Sequence, residues 1–184
     1  MNAMRRGIAE HMRRSLDTSA HVTSAIEVDM SRVVAIREKL KPEYQKSYGV
    51  NPTYLIFVAR AVTETLNLLG MAKAIADVAK RAREKQLLPD DVAGGTFTIT
   101  NPGGYGTFHG TPVISQPQAA ILGTYALVKR PWVVQDELGK DVIAVRPIMN
   151  LTLTYDHRLV DGALAGRFLQ SLKQKLETWA ESDY

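Results

Sequence analysis

The stretch NLTLTYDHRLVDGALAGRFLQSLKQKLETWA, Asn150 to Ala180, carries three signals in succession. Leu151 and Leu153 alternate with Thr152 and Thr154, the period of a strand with one apolar face. After Gly162, the residues Leu164, Phe168, Leu172, Leu176 and Trp179 share one stripe, which predicts an amphipathic helix. Between them lies the turn Asp156-His157-Arg158-Leu159-Val160-Asp161. Strand, tight turn and helix together put His157 at an element boundary, where a side chain can reach a cleft.

Upstream, the chain alternates between the same two periods. Met4 to Ser15 reads as a short helix carrying Ile8 and Met12 four apart, and His21 to Asp29 as an imperfect strand. Ser31 offers an N-cap for a helix carrying Val34 and Leu40, with Pro42 and Gly49 marking its exit. A second helix starts near Pro52, a good first-turn residue. A third begins around Leu69 with Met71, Ile75, Val78 and Ala82 on one face. Leu87 to Gly95 is a loop. Thr96 to Thr100 is a strand ended by the turn Asn101-Pro102-Gly103-Gly104. Ala119 to Val128 and Val142 to Tyr155 are further strands, the second interrupted at Pro147. The pattern predicts an α/β sandwich of two layers, a mixed sheet covered by helices.

Composition narrows the chemistry. At 184 residues, 45% hydrophobic and 23% charged, the chain suits one domain over residues 1–184. No apolar run approaches a bilayer span, so no membrane partner is expected. The 23 Lys and Arg are dispersed among 19 acidic residues, so the net charge of +4 reads as a solvated surface, with no nucleic-acid partner expected. Without cysteine, disulfides, a thiolate nucleophile and Cys-ligated metals are excluded. No pair of the four histidines has ligand spacing, so no metal is expected. His11, His21 and His109 read as structural or solvated, although His109 is near enough in sequence to Thr100 to touch a substrate.

A histidine titrating near neutrality is the usual general base for a thiol or hydroxyl proton. Asp156 or Asp161 nearby could fix its tautomer or hold its loop. A histidine beside an aspartate at a strand end is nevertheless structural or incidental more often than catalytic, and these residues alone specify no reaction.

The run YDHRLVDGALAGRFL resembles the His-x-x-x-Asp-Gly motif of dihydrolipoyl acyltransferases, the cores of 2-oxo acid dehydrogenase complexes, and of chloramphenicol acetyltransferases. The opening GIAEHMRRSLDTSAHVTSAIEVDMSRVVAIREKL is similar to the start of the former family's catalytic domain, and LLGMAKAIADVAKRAREKQLLPDDVAGGTFTITNPGGYG and GTPVISQPQAAILG to its middle. The resemblance implies the chloramphenicol acetyltransferase-like fold. It implies acyl transfer between dihydrolipoamide and coenzyme A, by direct thiol attack on a thioester and without an acyl-enzyme. It makes His157 the general base and Thr100 the hydroxyl that stabilises the oxyanion. Asp161 would hold the His157 loop by accepting hydrogen bonds or an Arg pair, Gly162 would permit the turn, and Asn101 and Gly103 would shape the substrate channel. It further implies a homotrimer with sites between subunits, sometimes built into larger cages, and a bacterial cytoplasm or mitochondrial matrix.

Two departures from the family stand out. No lipoyl domain, lipoylatable lysine motif or domain for binding the other complex subunits is present, so lipoamide would come from elsewhere. A few dozen residues that the family carries after the helix ending near Leu66 are missing at positions 66–68, where a strand-rich segment lines part of the channel. If the segment is truly absent, the alternative is a shortened, catalytically impaired scaffold that assembles without turnover. A third reading is a chloramphenicol-type enzyme acetylating a small alcohol, which the opening and middle blocks fit less well.

Overall fold

The computed structural model describes residues 3–63 and 67–180. The elements run α1 (Ala3–Thr18), β1 (His21–Asp29), α2 (Ser31–Tyr48), α3 (Tyr54–Thr63), α4 (Leu68–Arg83), β2 (Thr98–Thr100), β3 (Ala120–Gln135), β4 (Asp141–Asp156) and α5 (Gly162–Glu177), with 3₁₀ turns at Pro89–Asp91 and Pro102–Tyr105. The sheet order is β1-β4-β3-β2, antiparallel except for the parallel pair β2 and β3. The mixed sheet and its helical layer are those expected from the sequence. Leu66, where the family's segment is missed, lies outside the described residues. The chain resumes at Asn67, whose side chain caps α4 by accepting from Gly70 N at 2.6 Å.

β4 is the inner strand about which the core forms. Met149, Leu151, Leu153 and Tyr155 point into the helical layer, where they meet Phe57 and Val58 of α3, and Leu169, Leu172 and Leu176 of α5. Trp179, just past α5, is buried and sets its ring edge-on to Phe57 at 5.5 Å. The opposite face of β4 carries Asn150, Thr152, Thr154 and Asp156, and these are buried as well. An alternating strand ordinarily turns its polar face to water. Here the loop between β2 and β3 covers that face, and the polar groups find partners. Thr154 Oγ1 meets Thr23 Oγ1 at 2.7 Å, Thr152 Oγ1 meets the Tyr125 hydroxyl at 3.0 Å, and Asn150 Nδ2 donates to Phe108 O at 2.9 Å.

Four local expectations are corrected. Pro147 does not interrupt β4, which pairs with β3 at Lys129 and continues. Its carbonyl, turned toward the β1 side, accepts from Met30 N at 2.9 Å. Its ring nitrogen faces the same side, beyond the last β1 pair (Asp29 with Ile148), so the missing N–H breaks no ladder bond. Ser31 is the first helical residue of α2 and not its cap; Asp29 Oδ1 accepts from Ser31 N and Oγ at 2.9 and 2.5 Å. α2 also runs through Pro42 to Tyr48 and ends at Gly49, which has φ +67°. β3 in turn continues to Gln135, forming with the start of β4 a two-stranded arm closed by a turn at Asp136–Lys140.

Phe57 is completely buried and is the main partner of Trp179. Phe57→Ala should therefore cost about 3–5 kcal/mol of stability, read as a lower denaturant midpoint.

Candidate active site

His157 stands on the turn that ends β4, in the position expected for it. Its backbone N donates to Ala20 O at 2.8 Å, which fastens the turn to the start of β1. The imidazole is exposed, 5.9 Å from the Tyr155 ring, and neither of its nitrogens has a hydrogen-bond partner among the described residues. Neither neighbouring carboxylate touches it.

Asp156 is the group that shapes this turn. Its side chain is 3% exposed, and it accepts from Ala20 N at 3.2 Å, from Arg158 N at 3.1 Å, and from Arg158 Nε and Nη2 at 2.9 and 2.5 Å. The Asp156 carbonyl accepts from Leu159 N and Val160 N, closing the turn. The Arg158 guanidinium, ahead of the backbone donors, holds the Asp156 carboxyl well below its ordinary value of 3.8. No sequence signal set Asp156 apart from Asp161, because the Ala20 contact joins residues 136 positions apart. Asp161 caps α5, accepting from Leu164 N at 2.7 Å. It fixes where the helix begins through a backbone donor and, among the described residues, pairs with no arginine.

His21 is used structurally. Its Nε2 accepts from Ile114 N at 3.1 Å, which leaves Nδ1–H to donate to Ser19 O at 3.1 Å, so the ring is the neutral Nδ1–H tautomer. His11 and His109 are exposed, and His109 stacks on the Tyr125 ring with centroids 5.8 Å apart.

Thr100 ends β2. Its carbonyl accepts from Thr124 Oγ1 at 3.3 Å, while its own hydroxyl has no hydrogen-bond partner among the described residues. Asn101 and Gly103 line a cavity of about 340 Å³ with Tyr54, Val58, Thr124 and Met149. Gly103 lies so close to the Tyr125 backbone that a Cβ there would sit 2.3 Å from its carbonyl carbon, so only glycine fits.

His157 and Thr100 do not meet within one chain. Thr100 is in register with Gly123, and Gly123 with Thr152, five residues short of His157 on β4. Five residues along the strand and two strand spacings across place the two residues ~19 Å apart. One chain thus displays an unengaged imidazole at one end of the sheet and, two strands across on β2, an unengaged hydroxyl next to a cavity.

The description "2-oxoacid dehydrogenases acyltransferase (catalytic domain)" matches residues 1–70 and 63–182. The dihydrolipoyllysine-residue acetyltransferase component of the pyruvate dehydrogenase complex of Mycobacterium bovis is 40% identical over 218 residues, covering 94% of this chain and 39% of the relative. The chain therefore spans about two-fifths of that relative's length. Other relatives are bacterial or mitochondrial succinyltransferase and branched-chain components. The crystal structure of a probable dihydrolipoamide acetyltransferase from Listeria monocytogenes superposes with a TM-score of 0.92 at 31% identity, covering 100% of this chain and 95% of that one. The Azotobacter vinelandii dihydrolipoamide acetyltransferase superposes with a TM-score of 0.86 at 27% identity, over 94% and 88%. That structure accompanies work on the catalytic role of a serine and of a histidine and an asparagine four positions apart.

The depressed Asp156 pKa has a defined sign. Its contribution to stability is fully present above about pH 4 and is lost as pH falls through the lower folded-state value. Asp156→Asn should thus be less stable than the wild type at neutral pH, with the gap closing as the solution is acidified below pH ~4. Chemical unfolding at a series of pH values measures both.

Proposed function

The chain belongs to the family of 2-oxoacid dehydrogenase acyltransferase catalytic domains, and we propose that it transfers acyl groups between dihydrolipoamide and coenzyme A. The observation that carries this reading is the unpartnered His157 imidazole on a turn locked by Asp156. A free thiol, with a pKa of about 8.5, is only a few per cent ionised at neutral pH. His157 removes its proton, the thiolate attacks the thioester carbonyl, and the tetrahedral intermediate carries an oxyanion. Collapse expels the second thiolate, which recovers the proton from the imidazolium. No covalent enzyme intermediate is needed.

Thr100 is the donor to the oxyanion in this reading, supported by its unused hydroxyl. The ~19 Å between Thr100 and His157 supports a donor from a neighbouring copy, and the working unit in this reading is a homotrimer with each site shared by two chains. Asn101 and Gly103 line the substrate cavity, and Asp161 holds the helix behind the His157 turn. The Azotobacter enzyme's histidine and asparagine are spaced like His157 and Asp161, and its serine is a hydroxyl counterpart of Thr100. A bacterial cytoplasm or mitochondrial matrix is the setting this activity implies. The lipoyl group and the other complex subunits would be reached through regions outside this domain.

One observation favours a second reading, the shortened scaffold. The alignment with the Mycobacterium bovis relative runs over 218 residues although only 94% of a 184-residue chain takes part, and the family match falls into two stretches meeting at 63–70. A segment of a few dozen residues between α3 and α4 accounts for both. The expected result of the acyltransferase reading is acetyl transfer from acetyl-coenzyme A to dihydrolipoamide, reduced ~10²–10⁴-fold in His157→Ala and ~10²–10³-fold in kcat in Thr100→Val. Assembled wild-type chains with no transfer above background would favour the scaffold instead.

Complementation tests the shared site. Co-expressing His157→Ala with Thr100→Val chains should restore part of the activity, because a mixed assembly contains sites with an intact histidine from one chain and an intact threonine from the next. A site confined to one chain would recover nothing.

A further inference from the structure

The loop that covers the polar face of β4 returns to the start of β1 at residues 114–116, and three side chains fasten it there. Both backbone polar groups of Ile114 are taken by side chains. Its carbonyl accepts from Ser15 Oγ at 2.6 Å, and its N–H donates to His21 Nε2 at 3.1 Å. Gln116 Nε2 donates to Ser19 Oγ. Ser15, Ser19 and Ile114 are all buried. The other His21 nitrogen, Nδ1–H, donates to Ser19 O at 3.1 Å, and the His21 backbone N–H reaches the same carbonyl at 3.1 Å. His21 thus grips the loop with one ring nitrogen and the Ser19–Ala20 step with the other.

That step carries the His157 turn. Ala20 O accepts from His157 N at 2.8 Å, and Ala20 N donates to Asp156 Oδ1 at 3.2 Å. His21 itself stands opposite Asp156 in the β1–β4 register. The covering loop is fixed to the sheet on its way to the junction, by Tyr125 Oη donating to Gly110 O at 2.7 Å and Asn150 Nδ2 donating to Phe108 O at 2.9 Å. The turn therefore hangs from a two-residue step whose place is set by His21 and the loop behind it.

We infer that His21 is a positioning residue for acyl transfer, its neutral imidazole setting where the His157 turn stands through Ile114 N and Ser19 O. The inference rests on the reading of His157 as the general base. His21 acts through Ala20 and touches no substrate. It must be neutral to do so, since an imidazolium has no lone pair for the Ile114 N–H. A general base works only within hydrogen-bond reach of its proton, and a displacement of ~1 Å caused far from the chemistry can cost ~10²-fold in rate. His21 does not line the cavity of Asn101, Gly103, Tyr54 and Val58, so substrate binding should be spared.

Three substitutions test this in the assembled chain. His21→Gln sets a carbonyl oxygen near the place of Nε2 and keeps an acceptor for Ile114 N. His21→Leu removes both bonds. Gln116→Leu loosens the same junction with His21 intact. For acetyl transfer from acetyl-coenzyme A to dihydrolipoamide, His21→Leu should lose ~10–10²-fold in kcat, with KM for either substrate little changed and the circular dichroism of the wild type. His21→Gln should recover most of that loss, and Gln116→Leu should lose a smaller part of kcat. A folded His21→Leu chain with wild-type kcat, a raised KM at unchanged kcat, or a His21→Gln chain no better than His21→Leu would overturn the role. If His21→Leu does not fold, a wild-type kcat in Gln116→Leu overturns it. Full activity in His157→Ala, or none in the wild type, would instead overturn the reading of His157 and take the role of His21 with it.

Discussion

β4 is held on four sides, and that constraint organises the molecule. From Ile148 to Asp156 it lies between β1 and β3, its leucine face is packed into the helical layer, and its threonine face is closed over by the β2–β3 loop. Burying hydroxyls without partners would cost roughly 1–3 kcal/mol each. The Thr152–Tyr125 and Thr154–Thr23 bonds remove that penalty and also fix the register of three strands. Because β4 cannot slip, its last residue, Asp156, arrives at one place, and the turn that follows is built around its carboxylate.

The consequence is an imidazole that is firmly placed and has no hydrogen-bond partner among the described residues. In many sites a carboxylate contacts the catalytic histidine directly. Here the Asp156 carboxylate goes to Arg158 and to the backbone at Ala20, and Asp161 goes to the first turn of α5. Both acids act on the frame that carries His157. The imidazole itself is left unengaged, and at the β2 edge of the sheet the Thr100 hydroxyl is equally unengaged among the described residues. The sheet separates these two groups by ~19 Å.

Much of this could be read from residues close together in the chain. The leucine–threonine alternation of Asn150–Tyr155, the apolar stripe after Gly162 and the turn at Asn101–Gly104 are local patterns, and they specified a mixed sheet with helices and placed His157 at a boundary. The His-x-x-x-Asp-Gly spacing pointed to the family and, through it, to Thr100. Long-range contacts decided the rest. Whether Thr152 and Thr154 faced water or a covering loop depended on residues 106–118, and whether Pro147 broke the strand depended on where β1 stopped. The separate duties of Asp156 and Asp161 depended on Ala20, far away in sequence. That His157 and Thr100 stand apart follows from strand order and register, which pairing between distant segments sets and no local period encodes.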